Sequence, residues 1–195
     1  MRTLSLLALL LVTSCARLEP EAQSTAQSAP PDKNPVVAAL THFRSLPELW
    51  LPKPAVSKSV LLVDRGYMTT KGFISKAQLR GDLSGKRWSV PEEARLDIER
   101  RTDAKERFRT TDFPSFIHVL DFESHPPGDI LEFSQRNPEA KCCITLWPTG
   151  FTRDGNQAVV RFLFGPTPHG ASATYLLERR NGLWHVIHHD VSYYL

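Results

Sequence analysis

The chain has 195 residues, 41% of them hydrophobic and 23% charged, the composition of an ordinary globular protein at a length that one core can serve. Its 24 basic and 21 acidic side chains leave a formal charge of +3. No dense Lys/Arg run is present to release counterions from a nucleic-acid backbone, so nucleic acid is not an expected partner.

The amino-terminal residues give the strongest signal. Met1-Arg2-Thr3 supplies a short basic head, and residues 4–12 are apolar apart from one serine. That run is far short of the roughly 20 residues a membrane-spanning helix needs, and suits an export signal. Val12-Thr13-Ser14-Cys15 comes immediately after it and resembles the lipobox of bacterial lipoproteins: a branched residue, two small ones, then the cysteine. The resemblance implies cleavage before Cys15, diacylation of its sulfur and a lipid-anchored cell-envelope protein. With Ala16 in place of an aspartate beside the lipidated residue, it also implies sorting to the outer membrane, facing the periplasm. The expected organisation is a signal peptide over 1–14, a lipidated disordered tether over 15–33 and a single domain over 34–195. In the tether, Leu18 is the one large apolar side chain among Ala, Ser, Gln, Glu and Pro, too little to offset the entropy of ordering it.

Asn34-Pro35 pairs an N-cap with a first-turn proline, and Val36, Leu40 and Phe43 recur at helical spacing, so a short amphipathic helix opens the domain. Residues 56–64 are rich in branched side chains and predict a strand. Ser89-Val90-Pro91-Glu92 has the capping-box pattern, with Val90, Ala94 and Ile98 on one face of the helix it starts and a charged face expected to be solvated. A strand over 116–122 and a short helix over 129–136 come next. Four strand-like runs then close the chain at 141–147, 157–164, 171–180 and 183–194. Between the last two, Asn181-Gly182 marks a type I′ hairpin, which needs positive φ at both positions. On the second of these strands Ala158, Val160, Phe162 and Phe164 share one face, and Val159, Arg161 and Leu163 the other. In the closing hairpin Tyr175 and Leu177 are expected across from Trp184 and Val186 in the core. The fold class read from this pattern is α+β: N-terminal helices packed on a curved antiparallel sheet that ends in a four-stranded meander.

About a third of the chain, carried by Gly150-Phe151, Ala158-Val159-Val160, Tyr175-Leu176-Leu177-Glu178 and Gly182-Leu183-Trp184-His185-Val186, resembles a pattern found in uncharacterised secreted bacterial proteins. The closing strands are also similar to those of nuclear-transport-factor-like and cystatin-like folds, in which a curved sheet wraps a helix. The resemblance implies a fold and an address outside the cytoplasm, and brings no activity. The relatives' Gly-rich loop carries two cysteines; here Phe164 and Pro168 stand near those places, so no disulfide is implied there.

Few residues suggest chemistry. Cys142 and Cys143 are adjacent, with α-carbons only about 3.8 Å apart and side chains on opposite faces of a strand, which disfavours a mutual disulfide; one is expected in the core and the other exposed. His185 and His189 would share one face of a regular strand, and His188 and Asp190 the other, so three of them converge on a metal only if the strand bulges. His118, Asp121, Glu123 and His125 cluster at another strand end, where Asp121 and Glu123 would form a carboxylate pair if buried. There is no nucleophile elbow, phosphate loop, zinc-protease helix or kinase signature. Cys15, as the lipid attachment point, is therefore the one site residue assigned, with no catalytic, cofactor or metal residues. The expected function is a non-catalytic binding or interaction module, held to the membrane by its lipid and engaging a protein or small-molecule partner. The alternatives are a small hydrolase or isomerase with a pocket in the sheet concavity, and an immunity or inhibitor protein. Titratable groups converging in a closed pocket would favour the enzyme.

Overall fold

The computed structural model describes residues 32–46, 60–65, 88–101, 108–109, 111, 113–124, 126–165 and 171–193. Cys15, the residues expected to form a signal peptide and those of the expected tether before residue 32, the start of the strand expected at 56, His125 and residues 166–170 lie outside them. Helix α1 (Pro35–Ser45) begins as its sequence dictates: Asn34 is extended, its side chain accepts from the Val36 N–H at 2.9 Å, and Pro35 occupies the first turn. Val36, Leu40 and Phe43 are buried. At the other end Lys141 Nζ donates to the carbonyls of Arg44 (2.9 Å) and Leu46 (2.7 Å), placing a cation where the helix dipole is negative.

The sheet comprises β1 (Val60–Asp64), β2 (Ile117–Leu120), β3 (Ala140–Leu146), β4 (Gly150–Phe151), β5 (Gln157–Gly165), β6 (Ala171–Arg180) and β7 (Leu183–Tyr193), in the order β2-β1-β3-β5-β6-β7 with β4 paired to β5. The fold is α+β, and β3-β5-β6-β7 form the expected antiparallel run. The rest of the sheet is mixed, however: β1 runs parallel to both β2 and β3. The residues of β1 explain the difference. Leu61, Leu62 and Val63 are all buried, the continuous apolar run of a strand covered on both faces, which is where parallel pairing belongs.

Helix α1 covers one face, where Phe43 meets Phe162 and Phe164 at ring-centre distances of 5.0 and 4.9 Å. Helices α2 (Glu92–Arg101) and α3 (Ile130–Arg136) serve the other face. Ala94 and Ile98 of α2 pack with Val159 and Leu176, and Phe133 of α3 packs with Leu62, Ala140 and Cys143. The start of α2 is later than its capping-box pattern implies, because the Pro91 carbonyl accepts the first helical N–H, from Arg95 at 3.1 Å. Pro91, not Ser89, thus holds the cap position. The helix crosses β4 so closely that a Cβ on Gly150 would sit 2.1 Å from the Ala94 carbonyl oxygen, so only glycine fits there.

The β6–β7 turn is as expected, with positive φ at Asn181 (52°) and Gly182 (79°). Register then departs from the simple alternation. Leu177 faces Val186, but Trp184 faces Arg179, and a bulge separates Leu177↔Val186 from Leu176↔His188, leaving Ile187 as the extra residue. Trp184 is also tied to the start of the domain, by an antiparallel bridge to Asp32.

Candidate functional site

The bulge redistributes the histidines. Beyond it His189 pairs with Tyr175 and joins the α1 face, whereas His185, His188 and Asp190 pair with Glu178, Leu176 and Thr174 and lie on the other. The expected pairing of His185 with His189 is thus replaced by one between His189 and His42 of α1, whose ring centres are 4.6 Å apart. Tyr175 completes the cluster. Its ring centre lies 5.6 Å from that of His42, edge-on, and 5.7 Å from that of His189, stacked. His42 is 3% exposed and Tyr175 fully buried, and neither His42 Nδ1 nor Tyr175 Oη has a hydrogen-bond partner among the described residues. Burial, with His189 alongside as a second cause, lowers the His42 pKa to about 4. Burial also lowers that of His189, reinforced by His188 and opposed by Asp190, and raises the Tyr175 phenol above its ordinary range. At neutral pH the cluster therefore holds two neutral imidazoles and a protonated phenol.

Sequence patterning does not single out His42, since it stands beside Phe43 in a helix whose apolar stripe is complete without it. Its spacing of three from Ala39 and four from Ala38, both buried, is the one signal that could have found it.

On the opposite face a polar row crosses three strands: Arg161 on β5, Thr174 on β6 and Asp190 on β7 are successive register partners. Arg161 is 1% exposed, with its guanidinium carbon 4.5 Å from the centre of the Trp147 ring. The Ser192 hydroxyl donates to Asp190 at 2.9 Å, and His188 stacks on Trp88 at 5.7 Å.

The third feature is an open groove of about 700 Å³ between α2 and the β4–β5 turn, lined by Glu93, Leu96, Asp97, Phe151, Thr152 and Arg153 among others. The charged face of α2, expected to be solvated, is exposed at Glu92, Glu93 and Arg100 but also contacts β4 and the turn after it. Asp97 accepts from the Phe151 N–H at 3.1 Å and Glu93 from the Arg153 N–H at 2.9 Å, while Arg101 donates to the Thr149 carbonyl at 3.0 Å. Arg95 bridges Glu92 and Glu99 along the helix. The Asp97 and Glu93 carboxylates tie β4 and the turn after it to the helix.

The remaining candidates do not converge. Asp121 accepts from the Glu123 N–H at 3.2 Å in a local turn, and Glu123 is exposed, so no buried carboxylate pair forms; His118 is exposed on β2. Cys142 and Cys143 are both buried and neither is in a disulfide, in contrast to the expectation of one exposed thiol, because each face of β3 carries its own helix. Cys142 belongs to the α1-side core, and burial pushes the Cys143 thiol up to about 11, well away from reactivity at neutral pH. Among the described residues no group of three or more His, Cys, Asp or Glu is placed to hold a metal ion, and no helix is long and apolar enough to cross a membrane. Comparison with protein-family models, with curated proteins and with solved structures finds no match for this chain.

Proposed function

We propose that the protein is a lipid-anchored cell-envelope binding module, attached through Cys15 and held on the periplasmic side of the outer membrane. Its groove between α2 and the β4–β5 turn engages a protein or small-molecule partner. The observation that carries the binding half of this reading is the state of the groove's charged groups. Glu93 and Asp97 are committed to backbone N–H groups of the facing turn, so they fix the shape of a preformed seat and are poorly available as acid, base or nucleophile. Leu96, 40% exposed, gives that seat an apolar side chain. The lipobox run Val12-Thr13-Ser14-Cys15 supports the anchor, since diacylation supplies the two chains that stable membrane attachment needs.

Two measurements test the reading. Full-length protein expressed in a diderm bacterium should fractionate with the outer membrane, and Cys15→Ser should release it; an unmodified amino terminus beyond residue 15 would refute the anchor. A photo-crosslinker at Leu96 should capture a discrete partner in the envelope, whereas one at Leu131, 67% exposed on α3, should not. Equal labelling at both positions would refute the groove.

A further inference from the structure

We propose that His42, His189 and Tyr175 form a binding site for one transition-metal ion of the zinc or copper class. The donors come from three elements, α1, β7 and β6, and their kinds match such ions, for which neutral imidazole is the preferred protein ligand. With metal–nitrogen bonds of about 2.0–2.1 Å, two imidazoles sharing one ion place their ring centres roughly 5 Å apart; those of His42 and His189 are 4.6 Å apart. The Tyr175 ring is nearly equidistant from both, at 5.6 and 5.7 Å.

Burial points the same way. His42 Nδ1 and Tyr175 Oη are buried polar atoms without a hydrogen-bond partner among the described residues, an arrangement that costs free energy if left so. A single ion between them would satisfy both. The bulge at Ile187 decides which histidine joins the cluster: a regular register would set His188 opposite Tyr175, and the extra residue sets His189 there instead. His189 is only half-buried, which leaves the cluster a side open to solvent for ion entry and for a water ligand. Because the third protein donor is a phenol, binding is accompanied by release of the Tyr175 proton to solvent, and the phenolate offsets one of the ion's two charges.

The test uses the full chain in detergent, stripped of metal and dialysed against Zn²⁺ or Cu²⁺ alone. One ion per chain is expected, with proton release on binding and, for Cu²⁺, a phenolate-to-copper charge-transfer band. His42→Gln and His189→Gln should each weaken binding by at least about tenfold, while His188→Gln, on the other face, should leave it unchanged. Should His42→Gln fail to fold, the half-buried His189→Gln decides. Absence of stoichiometric binding, or binding kept in His189→Gln and lost in His188→Gln, overturns the site. Tyr175→Phe with an unaltered band and proton release overturns the tyrosine's part in it. None of these results depends on the lipid anchor or on the groove.

Discussion

Trp184 donates its backbone N–H to the Asp32 carbonyl at 2.6 Å and accepts the Asp32 N–H at 3.4 Å, so the last strand of the sheet holds the first described residue of the chain. Asp32 also orders the start of α1, since its Oδ1 accepts from the Asn34 N–H at 2.8 Å. The tether boundary read at residue 33 therefore falls inside ordered structure. A chain starting at residue 32 should melt with one starting at residue 16. One starting at residue 34 should lose about 1–2 kcal/mol, or several degrees in Tm. Identical melting of all three would show that the bridge contributes nothing.

The ring of Trp184 has a separate role. It is 4% exposed, with its centre 5.9 Å from that of Phe151. Trp184→Ala should cost about 3–5 kcal/mol, the range for deleting a buried aromatic. His188→Ala, an exposed position that gives up one stacking contact with Trp88, should cost under about 1 kcal/mol. Chemical denaturation of both variants checks the contrast; equal losses would put His188 in the core.

Much of this arrangement is legible in the sequence because local chemistry fixes it: the Asn34-Pro35 cap, the Asn181-Gly182 turn and the alternation of β5. The bulge is not legible. Nothing in Val186-Ile187-His188 distinguishes a regular strand from one with an extra residue, and a slip of one residue reverses every side chain beyond it. For that reason strand alternation alone puts His189 among the wrong neighbours and passes over His42. The parallel pairing of β1 escapes for a related reason, since its partners are set by crossovers remote in sequence. In α2 the charged face is readable, but the turn that its carboxylates hold, 54 to 60 residues away, is not.

Gly150 should be intolerant of any side chain. A methyl group there would meet the Ala94 carbonyl oxygen at 2.1 Å and Ile98 Cγ1 at 2.6 Å, and the backbone oxygen cannot rotate aside. Gly150→Ala should destabilise by about 3 kcal/mol. It should also loosen the seat between α2 and the β4–β5 turn, read as faster amide exchange at Phe151 and Arg153. Gly155→Ala, where nothing lies within 4 Å but φ is +68°, should cost only about 1 kcal/mol. Similar losses for the two would mean that α2 can move away from β4.

Acid should destabilise the domain through His42. Its pKa is lowered to about 4 in the folded protein, first by burial and then by His189, while the unfolded chain takes up a proton near 6.5. Between these values the unfolded state binds the proton and the folded state does not, so stability is complete above about pH 6.5 and is lost as pH falls towards 4. The full difference corresponds to roughly 3 kcal/mol, and His189, also lowered, adds in the same direction. This is too little to detach α1, whose buried Val36, Leu40 and Phe43 would each cost about 1.5–3 kcal/mol to expose, so the whole domain should lose stability without releasing the helix. Measured with chelator present, denaturant midpoints of the parent should fall between pH 6.5 and 4. His42→Gln, destabilised at pH 7 by a mismatched buried amide, should show a flatter profile over that window. A parent profile with the same slope as that of His42→Gln would assign the acid sensitivity to other groups.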